Sequence, residues 1–361
     1  MPTILEPVSP LRIAPSLATL PRPARCAAFV WIALASASAP LAAQAAPTLA
    51  EHLVEALAEH RVVALGENHG HVELHRLLLV ALRDPAVAAR IDDLVVEFGN
   101  ARYQDVVDRY IGGAAVPDDS LALAWRNTVV SPNTVWESPV YRGFFEAVRE
   151  INRSLEPPAR YRVVLADSDV DWSAVRHRDD LAPYYDRASA MAGTLRRESL
   201  LRGRRSLFLA GGLHVARRPR VRVSSAGLPV AEPTPVVLIE LHHPGVTWVV
   251  QSMGRAGELE LEALTGSGPA RVVRTDARPE IAGIEANLAT TLRDRDGARS
   301  DVYGNARLPD VVDAVLLWDP GEVTLLEAPA SAFADDAWWA ELNRRSLLVR
   351  GVPMDERLRG G

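Results

Sequence analysis

Two segments of the sequence share one layout: Val62-Val63-Ala64-Leu65-Gly66-Glu67-Asn68-His69 and Leu207-Phe208-Leu209-Ala210-Gly211-Gly212-Leu213-His214. Each consists of four apolar residues followed by a glycine, two further residues and a histidine. A short apolar run that ends at glycine is typical of a strand buried on both faces of a parallel sheet. Open α/β sheets bind ligands at the carboxyl ends of their strands. The two histidines are therefore expected at the ligand-binding edge of such a sheet.

Apolar runs and amphipathic stretches alternate along the chain. The predicted strands are Val62–Leu65, Leu94–Val96, Arg162–Ala166, Leu207–Ala210, Val236–Leu241, Val246–Val250 and Val311–Trp318. The predicted helices are Val72–Leu82, Arg102–Ile111, Tyr141–Asn152, Asp180–Leu201 and Asp335–Leu348. This alternation predicts an α/β fold with a central, mostly parallel sheet flanked by helices, and a site at the carboxyl edge of the strands.

The composition excludes several classes of protein. The chain has 361 residues, of which 48% are hydrophobic and 24% are charged, as in a soluble globular protein with a sizeable core. All 40 basic residues are arginine, which excludes a P-loop lysine and a lysine Schiff base. The net charge is −6 and the sequence has no long basic tract, so nucleic acid is not expected as a partner.

The first 45 residues have the layout of an export signal. Arg22 and Arg25 precede the apolar run Ala27–Ala39, and Ala43-Gln44-Ala45 supplies an A-x-A cleavage site. The run is too short to span a bilayer, so no stable membrane span is expected after cleavage. We therefore expect a periplasmic or secreted protein. A disordered leader on a cytosolic protein is the alternative.

The predicted mature chain, residues 46–361, is expected to form a single domain with insertions around residues 254–304, where the sequence is polar and rich in glycine. Removal of the leader also removes Cys26, the single cysteine. Disulfides, thiolate metal sites and a cysteine nucleophile are then excluded.

Ionisable side chains follow the predicted strands at the same edge. They are Glu67, His69, Glu97, Asp167 and His214. Imidazole and carboxylate ligands suit a divalent metal such as Zn, Mn, Co or Fe, and a catalytic metal site leaves a position open for water. The same groups could also act without metal, with a histidine as general base and a glutamate orienting it. Chance recurrence of two G-x-x-H segments is the third interpretation.

Three further residues are candidates for the site. His71 and His75 stand four positions apart on one face of the predicted helix, as zinc-binding histidines do, but Glu73 is misplaced for the H-E-x-x-H motif. A solvated or groove-lining helix face is therefore the favoured interpretation. Arg187 is placed either to bind an anionic group or to be an ordinary surface arginine.

The motifs between Arg61 and Arg217 resemble the erythromycin esterase/ChaN-like superfamily, which also includes the Tiki and TraB proteins. The first motif that shows the resemblance is Gly66-Glu67-Asn68-His69, followed by a helix and by a strand ending in Glu97. The second is Asp186-Arg187-Ala188-Ser189-Ala190-Met191-Ala192, followed by the strand that leads to His214. The resemblance implies an α/β fold with its pocket at the carboxyl edge of the sheet.

Known members of that superfamily are macrolide esterases with a histidine general base, haem-binding lipoproteins and metal-dependent membrane proteases. Carried over by position, His69 matches the histidine of the first strand and Glu67 its glutamate. Glu97 matches the glutamate of the second strand, and His214 matches the late histidine.

We accordingly expect an exported hydrolase of an ester or amide bond in a small molecule or peptide. The metal-assisted version uses His69, Glu97, His214 and Asp167 as ligands. In the metal-free version His69 and His214 with Glu97 position a water, and Glu67 either acts as the general base or orients His69 in that role. The alternative is a periplasmic protein that binds haem or a metal without turnover, with His69, His71 and His75 as ligands. An inactive homologue is the third possibility, and the oligomeric state is left open.

Overall fold

Short apolar strands form a central sheet, as the sequence predicts. A computed structural model of the chain describes residues 47–223, 228–253, 261, 269–289, 301–318 and 323–360. Its strands are β1 (Val62–Glu67), β2 (Asp93–Asn100), β3 (Arg162–Asp167), β4 (Ser206–Gly211), β5 (Arg220–Val223), β6 (Pro229–Glu232), β7 (Thr247–Ser252), β8 (Arg271–Arg274) and β9 (Ala314–Leu317).

Helices connect and cover these strands. Those among the described residues are α1 (Leu49–Glu59), α2 (Val72–Ala81), α3 (Pro85–Ala88), α4 (Gln104–Ile111), α5 (Asp118–Arg126), α6 (Pro139–Ser154), α7 (Arg187–Glu198), α8 (Gly212–Val215), α9 (Pro235–His242), α10 (Pro279–Ala282), α11 (Asp336–Arg350) and α12 (Arg357–Gly360). None of the described helices is long and apolar enough to cross a membrane.

The central sheet has seven strands in the order β3-β2-β4-β1-β7-β9-β8. Its strands pair in parallel except β8, which runs antiparallel to β9. The strands β5 and β6 form a separate antiparallel hairpin. The α/β fold class predicted from the sequence is thus confirmed, and β1 to β4 lie side by side with their carboxyl ends at one edge.

Both faces of the sheet are buried. In β1, Val63 and Leu65 belong to the hydrophobic cluster that includes residues of α1, α2 and α6, whereas Val62 and Ala64 belong to the cluster with residues of α7 and α9. Burial on both faces explains why these strands are continuous apolar runs and do not alternate with polar residues.

An irregularity in β2 lies next to a candidate residue. The pairing of β2 with β3 is regular up to Val96, shifts register, and resumes at Asn100 opposite Asp167. Glu97 is the first residue inside this shift. A local break in the ladder of this kind re-aims the side chains around it.

Three predicted elements are wrong. Residues Val236–Leu241 are helical, because Thr234 accepts a hydrogen bond from the Val237 amide at 3.0 Å and Pro235 occupies the first helical position. The long helix Asp180–Leu201 is broken by Pro183, so α7 begins only at Arg187, capped by Asp186.

The third error concerns the stretch 254–304, predicted as loop and insertion, because its residues Arg271–Arg274 form β8 of the central sheet. Within that stretch, residues 254–260, 262–268 and 290–300 lie outside the described part of the chain, as does the predicted signal peptide 1–45. Residues Ala45–Gly361 form one compact unit.

Candidate active site

A histidine and a glutamate meet at the carboxyl end of β1. The Nδ1 atom of His69 lies 2.9 Å from Oε1 of Glu67. A carboxylate oxygen only accepts hydrogen bonds, so Nδ1 carries the proton and, in the neutral ring, Nε2 keeps its lone pair. The His69 side chain is 34% exposed, whereas that of Glu67 is fully buried. The nitrogen with the free lone pair thus belongs to a side chain that solvent can reach.

Glu67 accepts two further hydrogen bonds from buried side chains. Nε2 of His75 lies 2.8 Å from its Oε2, and the Tyr141 hydroxyl donates to its Oε1 over 3.0 Å. The same hydroxyl accepts a hydrogen bond of 3.0 Å from the amide of Gly70, in the turn after His69. We call Glu67, His69, His75 and Tyr141 the Glu67 cluster. Its hydrogen bonds fix both the glutamate and the turn that carries the histidine.

These contacts shift the pKa values of the pair in opposite directions. Burial alone would raise the pKa of Glu67, but the hydrogen bonds from His69 and His75 outweigh it and lower that pKa to about 2. Burial would lower the pKa of His69, but its hydrogen bond to Glu67 and the charges of Glu97 and Glu67 outweigh it and raise that pKa. Glu67 is therefore ionised across the physiological range and stabilises the imidazolium form of His69.

Aromatic rings pack around the Glu67 cluster. The ring of His69 meets Trp136 edge-on at 4.7 Å between centroids, and Tyr141 packs against the same tryptophan at 4.9 Å. The ring of His75 is in edge-on contact with Tyr141 at 5.4 Å. Packing of this kind restricts the rotamers of both histidines.

A second group of charged side chains lies at the ends of β2, β3 and β4. We call Glu97, Asp167, Arg187 and His214 the Glu97 cluster. Arg187 donates from Nη2 to Oε1 of Glu97 over 2.7 Å and from Nε to Oδ1 of Asp167 over 2.8 Å. The amide of Gly211 donates to Oε2 of Glu97 over 2.6 Å. Both carboxylates are buried, and the exposed fraction of the Arg187 side chain is 16%.

His214 contacts both charges of this cluster. Its Nε2 lies 3.2 Å from Oε1 of Glu97 and 3.4 Å from Nη1 of Arg187. The shorter contact places a proton on Nε2, because a carboxylate can only accept and a guanidinium can only donate. His214 is therefore a third donor to Glu97, after Arg187 and the Gly211 amide.

Burial and charge act in opposite directions on the pKa values of the two carboxylates in the Glu97 cluster. Burial would raise the pKa of Glu97, but the charges of His214 and Arg187 hold it well below its usual range. Burial raises the pKa of Asp167 in spite of its ion pair with Arg187. One guanidinium is thus paired with two buried carboxylates, and the charged form of Glu97 is stabilised more than that of Asp167.

The two clusters meet at Gly211. A Cβ atom at this glycine would lie 2.8 Å from Cε1 and 3.0 Å from Nε2 of His69, and 3.4 Å from Oε2 of Glu97. Contacts under about 3.0 Å are closer than van der Waals packing permits, so glycine at this position lets the His69 ring lie directly against the backbone of β4. The backbone at Gly211, whose amide also donates to Glu97, is therefore where the two clusters come together.

The predicted metal ligands do not fit a metal ion. Glu97 and Asp167 converge as predicted, but the positive charge between them is the guanidinium of Arg187. Throughout the described residues, no group of three or more His, Cys, Asp or Glu side chains has the arrangement of a metal site. Arg187, predicted to bind an anionic group or to lie on the surface, is instead paired with the chain's own carboxylates.

The geometry does not match the predicted roles of His71 and His75 either. His75 points its Nε2 at Glu67, and its side chain is only 4% exposed. His71 is fully buried beside Trp318, at 4.6 Å between ring centroids, with Nε2 3.5 Å from Glu73. Neither is a solvated helix face, and neither presents a nitrogen to a haem.

Sequence reasoning missed Tyr141 and the part played by Gly211. Tyr141 comes from α6, 71 positions after Gly70, and no spacing rule relates the two. For Gly211 the sequence predicts only that a strand ends there. The available signal was the register of the parallel pair, which puts Gly211 opposite Glu67.

A cleft of about 430 Å³ opens beside the Glu97 cluster. Arg187 and His214 line it together with Leu213 of α8. The opposite wall contains Arg220 and Glu232 of the hairpin, which form an ion pair of 2.8 Å. A molecule in this cleft would contact the guanidinium and the imidazole directly.

No protein-family model matches the sequence, and no curated protein is similar enough to match it. Solved structures similar to the chain include a mutant of the erythromycin esterase EreC in its open conformation, at 12% identity and a TM-score of 0.49, covering 76% of this chain and 94% of that one. They also include the haem-binding ChaN of Campylobacter jejuni, at 13% identity and a TM-score of 0.40, covering 74% and 91%. A Bacillus cereus protein is similar at 10% identity and a TM-score of 0.47, covering 74% and 90%.

Proposed function

We propose that the protein hydrolyses an ester or amide bond, with His69 as the general base and without a metal ion. One observation carries the proposal: a partly exposed histidine donates from Nδ1 to a buried, ionised glutamate, which leaves Nε2 free to take a proton. This pairing of an imidazole with an orienting carboxylate is a recurrent means of activating a nucleophile. In this mechanism Glu67 is a positioning residue.

The reaction begins with a water molecule that hydrogen-bonds to Nε2 of His69. As the water oxygen bonds to the carbonyl carbon of the substrate, one water proton passes to Nε2. Glu67 stabilises the imidazolium that forms. When the tetrahedral intermediate collapses, the imidazolium returns the proton to the departing alkoxide or amine, so the enzyme ends in its starting state.

Arg187, which lines the cleft, is a second support for the proposal. Its Nε and Nη2 are bound to carboxylates, but Nη1 is directed toward His214 and the cleft. A fixed cation at the place where negative charge develops on the carbonyl oxygen lowers the barrier without reorganisation. Because Glu97 and Asp167 hold the guanidinium from behind, it is already oriented before substrate binds.

The test is a screen of chromogenic esters, lactones and peptide amides, followed by kinetics on the best substrate. We expect His69→Gln to lower kcat by about 10²–10⁴-fold, the usual contribution of a positioned general base. The matched control is His242→Gln, at the exposed C-terminal end of α9, which should keep full kcat.

Two further measurements separate the alternatives. Dialysis against a chelator should leave kcat unchanged, and a loss of activity restored by Zn²⁺ would contradict the metal-free mechanism. Full kcat in His69→Gln would show that His69 is not the general base. A Soret band on haem titration that disappears in His69→Gln, in protein without turnover of any substrate, would favour the binding alternative.

A further inference from the structure

A second cavity, of about 660 Å³, lies away from both clusters. Its walls come from α5, α11, the segment after β2 and the loop after β3. No residue of the Glu67 or Glu97 cluster lines it. The charged side chains of the lining are Arg102, Asp171, Arg176, Glu341, Arg344 and Arg345. Four guanidinium groups therefore face two carboxylates in one cavity.

The two carboxylates neutralise only part of this charge. Asp171 pairs with Arg102 at 2.8 Å. Glu341 is shared, because Arg344 binds both of its oxygens at 2.7 Å and Arg345 binds Oε1 at 2.6 Å. The lining thus keeps a surplus of positive charge equivalent to two cations.

Arg176 contributes one unit of the surplus. Its guanidinium donates from Nη1 to the carbonyl oxygens of Ser173 and Val175 and has no carboxylate partner among the described residues. Arg176 lines the cavity, and the hydrogen bonds described for its guanidinium use Nη1. Arg102 likewise uses only Nη2, toward Asp171, and its side chain is 49% exposed.

Arg345 contributes the second unit from inside the fold. Its side chain is 3% exposed and lies over the ring of Trp172 at 4.5 Å. Carbonyl, hydroxyl and amide oxygens satisfy its Nη atoms, among them Oδ1 of Asn127 at 2.6 Å. Arg345 shares the carboxylate of Glu341 with Arg344, so one charge of these two guanidinium groups remains unneutralised, and solvent screens a buried charge little.

We propose that this cavity binds a small organic dianion, such as a dicarboxylate or a phosphate monoester. Guanidinium groups bind both kinds of anion bidentately, and a ligand of charge −2 would neutralise the surplus. The uncharged part of the ligand would lie against Leu123 and Tyr103, which also line the cavity. The site is independent of the proposed hydrolysis.

The test is isothermal titration calorimetry of the full chain at constant ionic strength. The probes are succinate, glycerol phosphate and, as a monoanion of similar size, butyrate. We expect at least one dianion to bind at least about tenfold more tightly than butyrate, the difference expected from one additional charged hydrogen bond. Binding of succinate alone, or of glycerol phosphate alone, identifies which of the two anion chemistries the site takes.

Two variants locate the site. Arg176→Gln should weaken binding of the dianion by about tenfold, whereas Arg178→Gln should not. Arg178 is a matched control because it is equally exposed, two positions along the chain, and does not line the cavity. Equal loss in both variants, equal affinity for butyrate and the dianions, or the absence of any binding would each overturn the proposal.

Discussion

Glu67 and Glu97 stand at the carboxyl ends of strands in the same sheet, and both are buried and ionised, yet their partners differ in kind. Glu67 accepts from two imidazoles and a phenol, all of which can exchange protons. Glu97 also contacts an imidazole, that of His214, but its ion pair is with the guanidinium of Arg187, which does not release its proton at any physiological pH. The same residue type in the same position of the fold is thus stabilised once by proton-exchanging groups alone and once with a permanent charge added.

This difference assigns a separate role in the proposed reaction to each cluster. A carboxylate held by proton donors can follow the charge on His69 as it gains and loses a proton. A carboxylate held by Arg187 cannot, but it fixes a cation where an oxyanion forms. The Glu67 cluster is therefore suited to proton transfer, and the Glu97 cluster to electrostatic stabilisation.

The largest effect should come from removing the permanent charge. Arg187→Met leaves Glu97 and Asp167 buried without their cation, and we expect the free energy of unfolding at neutral pH to fall by about 3–5 kcal/mol. Without Arg187 both carboxylates would have folded-state pKa values raised above their unfolded values. The loss should consequently shrink as the pH is lowered and the carboxylates take up protons. Urea unfolding at about pH 7.5 and about pH 5.0 measures both the loss of stability and its dependence on pH.

The control for this variant is Arg142→Met. Arg142 also joins two carboxylates, Asp118 at 2.8 Å and Glu146 at 2.7 Å, but its side chain is 51% exposed. Exposed pairs contribute little, so the change should be under about 1 kcal/mol. If the free energy of unfolding falls equally little in both variants, Arg187 does not stabilise the buried carboxylates of the Glu97 cluster. The proposed difference between the two clusters would then be contradicted.

The sheet and its edge could be predicted from the sequence because strands buried on both faces are continuous apolar runs. The runs Val62–Leu65 and Leu207–Ala210 have no polar position, so no helix or surface strand competes for them. The run Val236–Leu241 is equally apolar, but Thr234 and Pro235 start a helix there. A capping signal of two residues outweighs the strand propensity of the valines that follow it.

The chemistry of the site was predictable only in part, for a geometric reason. Strand ends bring Glu67, His69, Glu97 and Asp167 to one edge whatever the loops do, so these residues could be named. What lies between them depends on where α7 begins, and Pro183 moves that start to Arg187. A guanidinium therefore occupies the position in which the sequence predicted a metal ion.

A smaller effect should follow from adding a methyl group at Gly211, where the two clusters come together. In Gly211→Ala the new Cβ would press against the ring of His69, at 2.8 Å from Cε1, and the ring would have to move. A displacement of about 1 Å at a reacting group costs about 10²-fold in rate, so kcat should fall by that order. Gly143→Ala is the control, because a Cβ at this glycine of α6 meets nothing within 4 Å. Unchanged kcat in Gly211→Ala would mean that the two clusters do not act at one point.

The smallest effect should distinguish proton transfer from mere packing in the Glu67 cluster. His69 must be unprotonated to act as base, and its pKa is raised, so kcat/KM should fall on the acid side of a pKa above the usual value of 6.5. Tyr141→Phe removes a donor from Oε1 of Glu67, the same oxygen that accepts from His69. That oxygen then attracts the imidazolium proton more strongly, and the acid limb of the profile should move to higher pH. A purely structural role for Tyr141 would lower kcat/KM at every pH and leave the limb in place. The position of the limb, measured between about pH 5 and 9 in both proteins, therefore decides whether Glu67 and His69 respond to each other as a proton-transfer pair requires.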